Sequence, residues 1–271
     1  MSNAIEVSGL TKSYGSHVVL KEISFQIAAG EIFALLGANG AGKTTALECI
    51  EGLKKYDSGT VTVNGTAGIQ LQSSSLPAHI KPMEAVRLFA GWNKVKTDNA
   101  LIHSLGLWEI EKKQYAQLST GQKRRLHLAL ALIGDPDIIF LDEPTAGLDV
   151  EGRLSLHDNI RKLKSSGKTV VLASHDMAEV ETLCDRIAIL SGGKIVFCGT
   201  PSELTCKIGK KYFIHIKTEL GSDTLEADNI ENTLLSLLGE MKRNGIKVLD
   251  IKVDRGTLEQ HFMEMTGRAE K

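Results

Sequence analysis

The chain has 271 residues, 42% of them apolar and 24% charged, enough apolar mass for one large domain, or a domain plus a small appendage, in a globular protein. A formal net charge of −1 offers no basic field to a nucleic acid. The longest unbroken apolar run, residues 128–133, falls far short of the roughly 20 residues that span a bilayer.

The first stretch reads as strands. "IEVSGL", "VVLKEISFQI" and "EIFALLG" alternate or run apolar, separated by "YGS" and "AAG". Next comes "GANGAGKTT": Gly37, Ala38, Asn39, Gly40, Ala41, Gly42, Lys43, Thr44 and Thr45. It fits the phosphate-binding pattern G-x-x-x-x-G-K-[ST], in which glycines let successive backbone N–H groups turn inward on an anion. Lys43 would supply a point charge, the Thr44 hydroxyl a ligand for Mg²⁺, and a helix starting near Gly42 its positive end. "DSGTVTVNGTAGIQLQ" then returns to strand, and from about Met83 to Ile133 the periodicity is helical. This predicts a helical insertion over about 73–135.

"DIIFLDE" and "TVVLASH" are short apolar runs, the pattern of parallel strands buried on both faces. "VEGRLSLHDNIRKLKSS" and "MAEVETLC" read as helices, and "RIAILSGGKIVFCG" as a hairpin turning at Gly192 and Gly193. Past Pro201, "KKYFIHIKTEL" alternates as a strand and Ile230, Leu234, Leu237, Leu238 and Met241 share one helix face that Gly245 stops. "IKVLDIKVD" is another strand, and Leu258, Phe262 and Met265 make a last helical stripe. The expected fold is α/β: a phosphate-loop core with an N-terminal antiparallel β part, the helical insertion, and a small βαβα appendage. Domains of residues 1–204 and 205–271 are expected. Four cysteines without C-x-x-C spacing and eight histidines without a ligand pair predict neither a disulfide framework nor a metal cage, and no signal-peptide pattern opens the chain.

Two further motifs carry chemistry. "IIFLDEP" puts two acids at the end of a buried strand, where an α/β sheet meets its ligand. Asp142 suits Mg²⁺, and Glu143 can orient and activate a water; side by side they would repel unless a cation lay between them. In "QLSTGQKRR", Ser119 can cap a helix beginning near Gln122, so that its hydroxyl and the Gly121 N–H form a second anion site. A GTPase would need N-K-x-D, and the "NK" at Asn93 and Lys94 lacks the acid. A small-molecule kinase would need an arginine-rich lid that the insertion does not supply.

With "GANGAGKT", "LSTGQ" and "LDEP" in this order, residues 5 to about 204 resemble the nucleotide-binding subunits of ATP-binding cassette (ABC) transporters. The resemblance implies an ATPase that uses ATP and Mg²⁺, with Thr44, Gln72 and Asp142 on the metal. Tyr14 would stack on adenine, while Gln72, Glu143 and His175 would serve hydrolysis. Gln70 is the competitor of Gln72 if the register slips. Ser119, Gly121, Gln122 and Asp149 would meet ATP held by a partner subunit, either a second copy or a related cassette. Thr120 stands where the family has glycine, and a β-branched residue resists positive φ. The resemblance further implies a separate permease, contacted through "SSSLPAHIKPMEAV", and a peripheral place on the cytoplasmic face of the membrane, soluble when isolated. The close "TLEQHFMEMTG" is similar to that of single-cassette exporters. A soluble cassette ATPase acting on nucleic acid or ribosomes usually needs paired cassettes, a coiled coil or a basic surface; that reading and a phosphate-loop kinase are the alternatives.

Overall fold

The computed structural model describes residues 2–70, 75–207, 212–227 and 229–255, which divide into compact units of residues 1–198 and 199–271. The first unit opens with β1 (Asn3–Tyr14), β2 (His17–Ala28), β3 (Ile32–Leu36), α1 (Lys43–Ile50), β4 (Ser58–Val63) and β5 (Ala67–Gln70). The helical insertion follows as α2 (Pro82–Trp92), α3 (Asn99–Ser104), two single 3₁₀ turns (Trp108–Ile110 and Tyr115–Gln117) and α4 (Thr120–Leu132). Then come β6 (Ile138–Asp142), α5 (Val150–Ser165), β7 (Thr169–Ser174), α6 (Met177–Leu183), β8 (Arg186–Ser191) and β9 (Lys194–Gly199).

The central sheet runs β5-β6-β7-β3-β8-β9. Every residue of β3, β6 and β7 is buried, which explains their unbroken apolar runs: both faces are covered, so alternation has no purpose. On one face Phe33, Leu35, Phe140 and Val171 pack with Ala46 and Leu47 of α1 and with Ile5, Leu10 and Ile23 of the antiparallel sheet β2-β1-β4. Strands β3 and β7 pair in parallel with Leu36 opposite Ser174, and β6 pairs with β7 with Asp142 opposite Ala173. Their carboxyl ends are therefore level. The residues that follow them, Gly37, Glu143 and His175, emerge along one edge of the sheet, where ligands meet such folds.

Two expectations need correction. Helix α4 begins at Thr120, earlier than near Gln122, because Ser119 and Gln122 form a reciprocal capping box. The second unit is not βαβα over its described residues. After α7 (Pro201–Lys207) it runs β10 (Tyr212–Thr218), β11 (Gly221–Ala227), α8 (Ile230–Arg243) and β12 (Val248–Arg255), a sheet ordered β11-β10-β12. Strand β11, "GSDTLEA", carries little apolar alternation and is held by pairing with β10 in full register. Ile214, Ile216, Ala227 and Leu237 form this unit's core. The last helical stripe, from Leu258, lies outside the described residues.

At the sheet edge α4 comes close enough to β5 that a Cβ on Gly68 would press into the carbonyl oxygen of Ala131. Gly68→Ala should lower unfolding free energy by about 3 kcal/mol, the upper range for overpacking. Urea titration checks this, and an unchanged midpoint would refute the close approach.

Candidate active site

The loop after β3 needs glycine at two places. A Cβ on Gly37 would lie 2.6 Å from the Leu190 carbonyl oxygen. Gly42 has φ 106° and would meet Leu20 at 3.0 Å and Val19 at 3.1 Å, which brings β2 onto the loop. Gly42 caps α1 without a side-chain acceptor, so the first amides of that helix have no capping side chain. Lys43 is only 6% exposed. Its Nζ donates to Gly37 O at 2.7 Å and Ala38 O at 3.4 Å, and lies 3.6 Å from Glu143 Oε1. Burial lowers the Lys43 pKa, opposed by the charges of Glu143 and Asp142. An ammonium held by two carbonyls is poised to exchange them for phosphate oxygens.

The adjacent acids diverge. Burial pushes the Asp142 carboxyl up, and the nearby Thr44 hydroxyl opposes that shift. Glu143 turns away with φ 49°, and its backbone N–H donates to Ala173 O at 3.0 Å. Its carboxylate lies between two bases: Oε1 faces Lys43, and Oε2 is 2.7 Å from Nδ1 of His175. Lys43 contacts Glu143 alone of the two acids, and the charge of Asp142 reaches it from farther away. His175 is half-exposed, so it forms the rim of the site while Glu143 forms its floor.

A cleft of about 470 Å³ is lined by Ser119, Thr120, Gly121, Gln122, Arg124 and Asp149, among others. Ser119 Oγ accepts from Gln122 N at 3.3 Å, and Asp149 Oδ1 accepts from Gly152 N at 2.8 Å, capping α4 and α5. Thr120 is the first helical residue and is not among the residues with positive φ, so it brings no backbone strain. The structure therefore brings Ser119, Gly121, Gln122 and Asp149 into one cleft, and groups Lys43, Thr44, Asp142, Glu143 and His175 at the strand ends. Tyr14 ends β1, nearly half exposed, with the ammonium groups of Lys12 and Lys54 at 5.1 and 5.6 Å from its ring centre.

Gln72 lies outside the described residues. Gln70 is buried with neither amide atom partnered. In parallel register it sits opposite Leu141, and side chains alternate along a strand, so it occupies the face opposite Asp142. Sequence reasoning missed two carboxylates. Glu179, on α6, is buried and accepts hydrogen bonds from Ser174 and Thr145. Glu51, at the end of α1, carries a buried oxygen without a partner. A carboxylate in a helix of mixed texture gives no pattern by which its burial could be read.

The model of the ABC transporter family matches residues 20–146. The linearmycin resistance ATP-binding protein of Bacillus subtilis is 31% identical over 97% of this chain and 98% of its own length. The chain belongs to the ABC transporter family. The Nod factor export ATP-binding protein I of Sinorhizobium fredii is 34% identical over 99% of this chain and 87% of its own. A solved ATP-binding subunit of an ABC transporter superposes with a TM-score of 0.68 at 26% identity, covering 76% of this chain and 93% of that one. The chain is thus an ATP-binding, ATP-hydrolysing ABC transporter subunit with the phosphate-loop α/β fold expected of it. ABC ATPase subunits generally dimerise and work with a transmembrane permease. Among the described residues no helix is long and apolar enough to cross a membrane.

The partly buried Glu51 of this ABC subunit gives a pH test. Burial pushes its carboxyl up to about 7, with Asp142 and Glu48 adding to the effect. The folded pKa lies above the reference value of 4.5, so its stabilising contribution is complete at lower pH and is lost as pH rises through about 7. Without nucleotide, Glu51→Gln should exceed the parent by roughly 1–3 kcal/mol at about pH 8, with the gap shrinking toward about pH 5. Urea titrations at the two pH values check this, and a pH-independent difference would refute it.

Proposed function

We propose that this chain powers an exporter through a separate permease, and that Glu143 carries the chemical step. The observation that supports this best is the contiguous set Lys43, Glu143 and His175, linked at 3.6 and 2.7 Å along the level strand ends. In this reading the loop amides of residues 37–45 and the Lys43 ammonium hold the phosphates. Glu143, the one carboxylate contacting both Lys43 and His175, orients the attacking water and takes its proton. His175 fixes the carboxylate from the rim. Tyr14 stacks on adenine. Export is favoured by the names of the relatives, one for linearmycin resistance and one for Nod factor export.

The donor set fits Mg²⁺. Asp142 Oδ1 is buried and lacks a hydrogen-bond partner among the described residues, next to the Thr44 hydroxyl, an arrangement of hard oxygens suited to that ion. Thr44 and Asp142 would hold it, with Gln72 as a further ligand, and it would offset charge on the phosphates. Ser119, Gly121, Gln122 and Asp149 would meet ATP on a second copy or a related cassette. Residues 73–86 would contact the permease at the cytoplasmic face of the membrane.

Three variants test the reading. Glu143→Gln should lose ~10²–10⁴ in rate, the usual contribution of a general base, and accumulate as an ATP-loaded dimer. Lys43→Ala should lose ATP binding and dimer together. Phosphate release and gel filtration with Mg-ATP report both, and parental turnover in Glu143→Gln would move the chemistry elsewhere. Ser119→Arg should abolish the ATP-dependent dimer while leaving ATP binding by the monomer intact. Light scattering showing an unchanged dimer would remove Ser119 from the interface.

A further inference from the structure

Glu179 lies in the first turn of α6, the helix that follows His175, and is only 5% exposed. A carboxylate so far from water needs donors. Ser174 Oγ donates to its Oε2 at 2.7 Å and Thr145 Oγ1 donates to the same oxygen at 3.1 Å. His157 Nε2 lies 3.4 Å from Oε1 and donates in the tautomer that carries its proton there.

These donors come from three segments that matter separately. Ser174 ends β7 immediately before His175. Thr145 lies on the loop from Glu143 to Asp149. His157 belongs to α5, which Asp149 caps. The Ser174 hydroxyl also accepts from Asp176 N at 3.0 Å, and Asp176 Oδ1 accepts from Glu179 N at 3.1 Å, closing the turn that carries His175. One buried carboxylate thus ties the His175 turn to the loop between the strand ends and the cleft. Ser and Thr hydroxyls otherwise readily turn to local backbone groups, which would release these ties.

We propose that Glu179 is a positioning residue for ATP hydrolysis, holding His175 against Glu143 and fixing the loop that leads to Asp149. It touches neither nucleotide nor water. The inference rests on the roles given above to Glu143 and His175. A glutamine has the shape of Glu179 but one acceptor oxygen in place of two, so it cannot accept from all three partners.

The test is ATP hydrolysis by the full chain with Mg-ATP, with thermal unfolding and ATP binding measured in parallel. Glu179→Gln should lower kcat about tenfold, what hydrogen bonds to a charged group are worth, with KM and ATP affinity held within about threefold. In a His175→Ala background the same change should cause a smaller loss than in the parent, because the arm to His175 is already gone and only the tie through Thr145 remains. Thr145→Val should lower kcat in the same direction and Thr145→Ser restore it, which keeps the test open if Glu179→Gln fails to fold. Parental kcat in Glu179→Gln with a lowered unfolding temperature would overturn the proposal in favour of a purely structural brace. Independent, multiplicative losses in the double variant would overturn it too. A parental rate in His175→Ala alone would remove the role of His175 and this inference with it, a failure read in the single variant and distinct from the others.

Discussion

A buried ammonium has few stable arrangements, and the site of this protein is organised around one of them. Lys43 points into the space enclosed by its own loop, where carbonyls of Gly37 and Ala38 and the Glu143 carboxylate surround it. Burial is the leading influence on its pKa and lowers it, while the charges of Glu143 and Asp142 oppose that shift. The loop can close this tightly because Gly37 leaves room for the Leu190 carbonyl and Gly42 for Val19 and Leu20. The same geometry leaves the lysine ready for a negative ligand, because phosphate oxygens offer stronger partners than carbonyls.

The lysine can meet Glu143 only if separate strands end at the same height. Parallel pairing of β3 with β7 and of β6 with β7 secures this, and the register is fixed by core side chains far from the site. Phe33, Phe140 and Val171 lock the strands against α1 and the N-terminal sheet, so any slip would separate Glu143 from His175 as well as disturb the core. Packing and chemistry are therefore one constraint here, and overpacking at the α4–β5 contact tests only its edge.

Most of this was legible in the sequence, for identifiable reasons. Buried parallel strands announce themselves as apolar runs, and a phosphate loop must spell out its glycines and lysine. "IFLDE" and "VVLASH" therefore located Glu143 and His175 at strand ends before any coordinates. Strand β11 was not legible, because "GSDTLEA" takes its conformation from its partner β10 more than from its own alternation. Thr120 stands where the family has glycine, yet the Ser119–Gln122 box sets that residue at the start of a helix, where no positive φ is asked of it. Glu179 and Glu51 were invisible for a different reason: burial of a charge depends on which segments fold over it, and no local pattern records that.

The path from Glu143 to Asp149 ties these points together. Glu143 leaves its strand with φ 49°, a conformation that costs a non-glycine residue on the order of 1–3 kcal/mol, and Pro144 follows. Such a turn persists only where its surroundings determine it. Ala146 N–H returns to Glu143 O at 3.2 Å and Leu148 N–H to Thr145 O at 3.1 Å, so the loop is folded on itself before it reaches the Asp149 cap of α5. A short, hydrogen-bonded loop passes displacement from one end to the other with little slack. Under the proposed roles, a change in charge at Glu143 would therefore be felt at Asp149, in the cleft lined by Ser119 and Gly121. Under the same roles, the loop that joins β6 to α5 would give hydrolysis in one site a physical route to the other.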